Sequence, residues 1–155
     1  MTFTLSPDYE YKLNQDNTND NINKRLLNSI YRNDISFLMK NSPPVIDKAE
    51  DLVEASLYMN LDNSTIIWII NKYHCIMDMN KIFDQIISYG KIKIAKELYE
   101  KNVGIWSFDA VCTSALKGNK EMVEWCISVK KPNILEILKL KNACCKGKID
   151  VKINY

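Results

Sequence analysis

The sequence predicts an all-α protein, a helical-pair solenoid of about five short repeats preceded by a flexible N-terminal arm. Two observations lead to this prediction. Gly90, Gly118 and Gly147 are spaced 28 and 29 residues apart, and apolar residues recur at fixed distances on both sides of each of them. A fixed period in this range is typical of solenoids, in which each unit buries its apolar face only by stacking on its neighbours.

A turn-forming residue marks the middle of each predicted repeat. The glycine register extends backwards by further steps of 28 and 29 residues, which gives five anchors: Asn33, Asp62, Gly90, Gly118 and Gly147. Gly, Asn and Asp adopt a left-handed backbone at low cost, which suits the end of a helix that leads into a turn. We therefore expect a helix to end at each anchor.

Three apolar columns define the helices on either side of the anchors. Seven residues before the anchors stand Leu26, Ala55, Phe83, Val111 and Leu140, and three residues before them stand Ile30, Met59, Ile87, Ala115 and Cys144. Four residues after the anchors stand Phe37, Ile66, Ile94, Met122 and Val151. The first two columns are four residues apart and therefore share one helix face. Each repeat is interpreted as a helix, a turn and a second helix; the alternative is chance agreement in an Ile-rich bundle.

The segment SALKGNKEMVEWCI, from Ser114 to Ile127, resembles the core of an ankyrin repeat. The segment from Ile86 to Ile105 has the same layout, and that from Asn142 to Val151 matches a first helix and its turn. The resemblance covers about residues 78–151, and residues 25–77 only through the apolar columns. Divergent short repeats of this kind, in proteins rich in Ile, Asn and Lys, resemble those of large DNA viruses of amoebae. The resemblance implies a protein-interaction module.

The chain departs from the ankyrin pattern in two respects. Its period is shorter than the ankyrin period of about 33 residues. No repeat has the TPLH opening that caps the first helix and connects neighbouring repeats. We therefore expect shorter loops in place of the β-hairpins that project from standard ankyrin repeats.

Residues 1–24 are predicted to form the flexible arm, and residues 25–155 the repeat domain. The polar run from Asn14 to Asn23 has no apolar period, which is typical of a linker. Tyr9 and Tyr11 precede it in a nearly alternating segment, which favours a short strand or an extended peptide that docks on a partner. Packing of this segment on the chain's own first repeat is the other interpretation, and both stay open.

The composition is that of a globular domain. The chain has 155 residues, of which 46% are hydrophobic and 26% charged, enough for one domain with a core. Its 20 Ile, 19 Lys, 17 Asn and 8 Tyr all have A/T-rich codons, so many lysines do not by themselves indicate nucleic-acid binding. The longest apolar run, Ile66 to Ile70, is too short for a membrane span, and the N-terminus lacks a signal pattern. We expect a cytoplasmic protein, in the host cytoplasm if viral.

Catalytic and metal chemistry have little support in the sequence. The cysteines are odd in number, Cys75, Cys112, Cys126, Cys144 and Cys145, which favours a reducing compartment and buried thiols. The vicinal pair Cys144 and Cys145 lacks the further ligands of a zinc site. The only histidine, His74, lies beside Cys75, but a Cys–His nucleophile also needs a group that orients the base. We expect a non-catalytic protein without a cofactor or a bound metal.

The predicted partner contacts are aromatic and loop residues: Trp106, His74, Tyr73, Tyr9 and Tyr11. Tyr73 and His74 belong to one segment between repeats, and Trp106 to another. A large apolar side chain in a loop is typical of binding hot spots. The alternative for Trp106 is a plug between repeats, whereas Trp68 is interpreted as core.

The C-terminal end is basic. From Ser128 to Tyr155 there are seven Lys against Glu136 and Asp150. Such an end attracts an acidic partner or RNA, but it lacks Arg and a nucleic-acid motif, so a solvated cap on the last repeat is the favoured interpretation. The leading hypothesis is an adaptor or a subunit of a larger complex that binds another protein. The second is a nucleic-acid-associated protein that uses the basic end.

Overall fold

A computed structural model describes residues 19–153 of the chain. Within that range the protein is helical, with nine α-helices, a short 3₁₀ helix and no strand, which confirms the predicted all-α class. The α-helices are α1 (Asn19–Tyr31), α2 (Ile35–Asn41), α3 (Ala49–Tyr58), α4 (Asn63–Tyr73), α5 (Met79–Ser88), α6 (Ile92–Glu100), α7 (Phe108–Leu116), α8 (Lys120–Val129) and α9 (Ile134–Lys146). The 3₁₀ helix spans His74–Ile76.

The chain divides between Asp78 and Met79 into two compact units. In the first unit α1 packs against α2 and α3, and α3 packs against α4. In the second unit α7 packs against α5, α8 and α9, and α5 packs against α6. Within each unit, therefore, the odd-numbered helices are neighbours, and the even-numbered helix that follows packs on its own odd-numbered partner. This is the order of contacts that helical pairs require.

The odd-numbered helices all end in the same left-handed turn. The left-handed residues of these five turns are Asn33 (φ 56°), Asn60 (53°), Gly90 (71°), Gly118 (81°) and Lys148 (57°). At each turn the left-handed residue donates its N–H to the carbonyl three residues earlier, and the next residue donates to the carbonyl five positions before it, at 2.7–3.2 Å. These paired bonds form the Schellman motif, which satisfies the carbonyls at a helix end.

Three of the five predicted anchors, Asn33, Gly90 and Gly118, are left-handed residues at a helix end. A helix also ends at Gly147, although its φ is negative, and the expectation is wrong at Asp62. Asp62 has a φ of −65° and is the N-cap of α4. Its carboxylate accepts bonds from the hydroxyls of Ser64 and Thr65, which lower the pKa of Asp62. Asn60, two residues earlier, takes the left-handed position.

Gly147 is a glycine for a different reason from Gly118. Its φ is −80°, an ordinary helical value, and Lys148 makes the left-handed turn instead. A Cβ added at Gly147 would overlap the backbone oxygen of Ala115 in α7. The absence of a side chain therefore allows α7 and α9 to approach each other closely.

The predicted apolar columns face the core. All five residues of the first column are buried, as are Ile30, Ile87, Ala115 and Cys144 of the second and Ile66, Ile94 and Met122 of the third. The exceptions, Met59, Phe37 and Val151, are half-buried. Phe83, Ile87 and Ile94, the column residues around Gly90, are completely buried.

Helix α1 begins at Asn19, earlier than the predicted boundary between residues 24 and 25. Asn21 and Asn23 are buried despite their polarity, and Asn23 donates a hydrogen bond to the backbone carbonyl of Asp47. Buried asparagines leave no apolar period in the sequence, and so the sequence pattern missed this turn of helix. Tyr9 and Tyr11 lie outside the described residues.

Side chains of α5 hold the segment that leads into α7. Asp84 accepts hydrogen bonds from the backbone N–H of Ser107 at 2.6 Å and from its hydroxyl at 2.9 Å. Asn80 accepts from the N–H of Ile105 at 3.0 Å. Ser107 in turn caps α7 by accepting a bond from the N–H of Ala110. A cap and a link between two odd-numbered helices are thus present without a TPLH motif.

The two glycines are expected to respond differently to substitution. Gly118→Val should lower the free energy of unfolding by at least about 1 kcal/mol, because a branched side chain is strained at positive φ. Gly118→Asn should be milder, because Asn tolerates that conformation. Gly147→Asn should cost about 1–3 kcal/mol, because α7 and α9 must separate to admit any side chain.

Urea unfolding followed by circular dichroism measures these differences. A Gly147→Asn variant as stable as Gly118→Asn would show that the close approach of α7 and α9 is absent.

Candidate functional site

Four rings form an aromatic cluster in the second unit: Phe83 of α5, Tyr99 of α6, Trp106 of the α6–α7 loop and Trp125 of α8. The ring of Trp106 is central, with centroid distances of 5.1 Å to Phe83, 5.4 Å to Trp125 and 5.9 Å to Tyr99. Tyr99 and Trp125 also meet edge to face at 5.8 Å. Tilted and edge-to-face contacts at these distances stabilise aromatic pairs.

Trp106 therefore joins helices of two neighbouring pairs. Phe83 lies completely buried beneath it, Tyr99 is exposed, and Trp106 and Trp125 are half-buried. These contacts favour the plug interpretation of Trp106 over that of a free hot spot. The adjacent Ile105 is 71% exposed and extends the apolar surface outward from the cluster.

Tyr73 is a core residue. Its side chain is 1% exposed, and its hydroxyl donates a hydrogen bond to the carbonyl of Pro43 at 2.6 Å. Burial raises the pKa of Tyr73, partly offset by a hydrogen bond with Ser42. Its ring offers a partner no accessible surface, and we do not retain it among the candidate contacts. Trp68, interpreted as core, is half-buried instead, with the Lys72 ammonium 5.2 Å from its ring centroid.

His74 and Cys75 are exposed and in contact with each other. The Sγ of Cys75 lies 3.2 Å from Nε2 of His74. Nδ1 of the same ring lies 2.9 Å from the backbone carbonyl oxygen of Asn71. A group that orients the imidazole could not be identified from the sequence, because a backbone carbonyl is not part of a sequence motif. The fold supplies such a group at the end of α4, the carbonyl of Asn71.

Helix α9 carries an exposed apolar face that the sequence reasoning missed. Its residues, Ile134, Leu135 and Leu138, are 77%, 71% and 61% exposed; we call them the α9 face. The same helix buries Ile137, Leu140 and Cys144. The expectation of a polar, solvated cap is wrong at this helix. The missed signal is that ILEIL holds more apolar residues than one buried stripe uses.

Lysines surround the α9 face. Lys139 lies four residues after Leu135, and Lys141 three residues after Leu138, so each is one helical turn along the same surface. Both are exposed. In the same unit, α8, the loop that follows it and residues 150–153 line an open groove of about 580 Å³, whose charged residues are Lys120, Lys131, Lys152, Glu124 and Asp150. This end of the second unit is therefore both apolar and basic.

The cysteines differ in their surroundings. Cys126 and Cys144 are buried, Cys112 is half-buried, and Cys75 and Cys145 are exposed. Burial raises the pKa of Cys126 to about 12 and also raises the pKa of Cys112 and of Cys144. The expectation of buried thiols is thus wrong for Cys75 and Cys145. Cys144 and Cys145 differ in burial because neighbouring positions on a helix point to different faces.

Between residues 19 and 153, no helix combines the length and apolar character that crossing a membrane requires. In that part of the chain, His, Cys, Asp and Glu side chains do not form a group of three that would hold a metal ion. Comparisons of the chain with protein-family models, with curated proteins and with solved structures give no match.

Trp106→Ala is expected to lower the free energy of unfolding by about 2 kcal/mol or more, because three ring contacts and the packing between helical pairs are lost. Ile105→Ala, at the exposed neighbouring position, is the matched control and should change stability by less than about 0.5 kcal/mol. Thermal and urea unfolding provide the measurement. An unchanged stability of Trp106→Ala would favour the original interpretation of this side chain as a partner contact.

Tyr73→Phe is expected to lower the free energy of unfolding by about 1 kcal/mol at neutral pH, because the bond to the Pro43 carbonyl is lost. The raised pKa of Tyr73 means that the folded state holds the phenolic proton more tightly than the unfolded state. Its stabilisation is therefore complete below about pH 10 and is lost as the pH rises above it. Between pH 8 and 11 the free energy of unfolding should fall more steeply for the wild type than for Tyr73→Phe. Parallel pH dependences of the two proteins would contradict the raised pKa of Tyr73.

Proposed function

We propose that this chain is a non-catalytic protein–protein interaction module, an adaptor or a subunit of a larger complex. The observation that carries the proposal is the α9 face. Large apolar side chains grouped on one exposed helix surface are typical of interaction sites, whereas single exposed apolar residues need no explanation. The aromatic cluster and Ile105 add a second apolar surface in the same unit.

The partner that fits the α9 face is a protein segment with an apolar face and acidic flanks. Leu138 lies one helical turn after Ile134 and Leu135, which suits an amphipathic helix laid along them. Lys139 and Lys141 border these residues and attract carboxylates at the edges of the contact. Apolar contact then supplies the affinity, and the lysines supply the orientation.

Nucleic-acid binding through the basic end is the second candidate. The lysines of α9 and of the groove beside α8 favour it, since phosphate contacts are made mostly by basic side chains. Against it, the exposed residues that Lys139 and Lys141 border are branched and aliphatic, whereas stacking on bases would require aromatic rings. The protein partner is therefore the better fit.

The helical pairs within each unit and their repeated turns also support the proposal of an ankyrin-like repeat protein. Repeat proteins of this kind present extended surfaces to other proteins. A viral origin and a cytoplasmic location remain proposals that follow from the resemblance and the cysteine usage.

Selection of a phage-displayed library of random 16-residue peptides on the wild-type chain tests the proposal. The enriched peptides should be amphipathic with acidic flanks, and fluorescence anisotropy should show their binding weakened by about tenfold or more in Leu135→Glu/Leu138→Glu. The control variant Val45→Glu/Tyr58→Glu replaces two residues of similar exposure, 68% and 67%, and should bind as the wild type does.

Two results would overturn the proposal. One is a set of peptides that bind the α9 variant as tightly as the wild type. The other is steeply salt-dependent binding of a fluorescein-labelled 20-nucleotide RNA that disappears when Lys139, Lys141, Lys146 and Lys148 are changed to Gln, which would favour the nucleic-acid candidate.

A further inference from the structure

We propose that Cys75 is a reactive thiol that undergoes exchange with low-molecular-weight disulfides, with His74 as its proton acceptor. The site is a modification site on the first unit and is independent of the α9 face. It consists of three groups: the Cys75 thiol, the His74 imidazole and the Asn71 backbone carbonyl.

The hydrogen bonds fix the protonation of the imidazole. A backbone carbonyl oxygen only accepts, so the contact of 2.9 Å between Asn71 and Nδ1 of His74 places a hydrogen on Nδ1. In the neutral ring Nε2 then carries the lone pair, and it lies 3.2 Å from Sγ of Cys75. The thiol donates to the nitrogen that accepts its proton, which is the arrangement that activates a cysteine nucleophile.

The pair lies at the exposed end of α4. Asn71 belongs to the last turn of α4, where carbonyl oxygens lack partners within the helix. Both side chains are exposed, so a small disulfide reaches the sulfur without a change in the fold.

The exchange step balances in atoms and electrons. The proton moves from Sγ of Cys75 to Nε2 of His74, and the thiolate attacks one sulfur of a disulfide RSSR. A sulfur–sulfur bond forms between Cys75 and RS, the bond of the small disulfide breaks, and the departing thiolate takes the proton from His74. Cys75 is oxidised to a mixed disulfide, and the other half of RSSR is reduced to a thiol.

The chain contains its own controls. Cys145 is exposed but has no histidine, because His74 is the only one in the sequence. Lys146 directly follows Cys145 in the sequence, so the comparison needs a probe without charge. Cys126 and Cys144 are buried and report whether the protein stays folded.

The experiment measures the modification of each cysteine in the full chain by bis(2-hydroxyethyl) disulfide, an uncharged probe that lysines do not attract. Samples are quenched with N-ethylmaleimide and quantified by peptide mass spectrometry. Cys75 should react about tenfold faster than Cys145, since an unassisted thiol is only a few per cent thiolate at neutral pH. His74→Gln should bring Cys75 to within about threefold of Cys145.

A second variant, His74→Ala, excludes an effect particular to Gln, and added imidazole should restore part of the lost rate. Circular dichroism and slow reaction of Cys126 confirm that both variants are folded. The proposal is overturned if Cys75 reacts no faster than Cys145 in the wild type, or if either folded variant keeps the wild-type rate at Cys75.

Discussion

The structure depends on the left-handed turn that ends each odd-numbered helix. Two backbone hydrogen bonds close the helix at that point, and the chain leaves in a direction that lets the next helix pack back on it. The residue at the turn must adopt positive φ, which Gly and Asn do at the lowest cost. Without these turns the short helices, most of them 7–11 residues long, would have little stability of their own.

The turns also decide which surfaces are covered. In the second unit α7 lies between α5 and α9, and its small residues Ala110, Ser114 and Ala115 are buried, so neighbouring odd-numbered helices approach closely. The aromatic cluster fills the wider space between their even-numbered partners. The α9 face remains exposed. The candidate binding surface therefore lies on a helix whose other side packs against α7.

The buried columns and three of the left-handed turns were predictable because burial imposes a period on the sequence. Residues of the apolar columns, such as Phe83 and Ile87, indicate which side of a helix is buried, and Gly90 and Gly118 indicate where the chain turns. Spacing alone does not show why a glycine is needed at a given position. Gly147 is required for the close contact between helices and not for a positive φ angle. Asp62 was a plausible turn residue but also an excellent N-cap.

The candidate sites were less predictable, because they depend on tertiary contacts and on backbone atoms. Tyr73 and Trp106 looked alike in sequence as aromatic residues between helices, yet one is buried against Pro43 and the other is half-buried in a cluster. The orientation of His74 comes from a backbone carbonyl. Exposure of Leu135 and Leu138 follows from which stripe of α9 faces α7.

Amide hydrogen exchange measured by NMR at Asp34, Leu61, Lys91, Asn119 and Ile149 tests the central claim most directly, since these residues follow the left-handed positions and donate the longer-range bond of each turn. The account predicts slow exchange at all five amides, comparable with the helix interiors; exchange at the rate of an unstructured chain at these positions would contradict it.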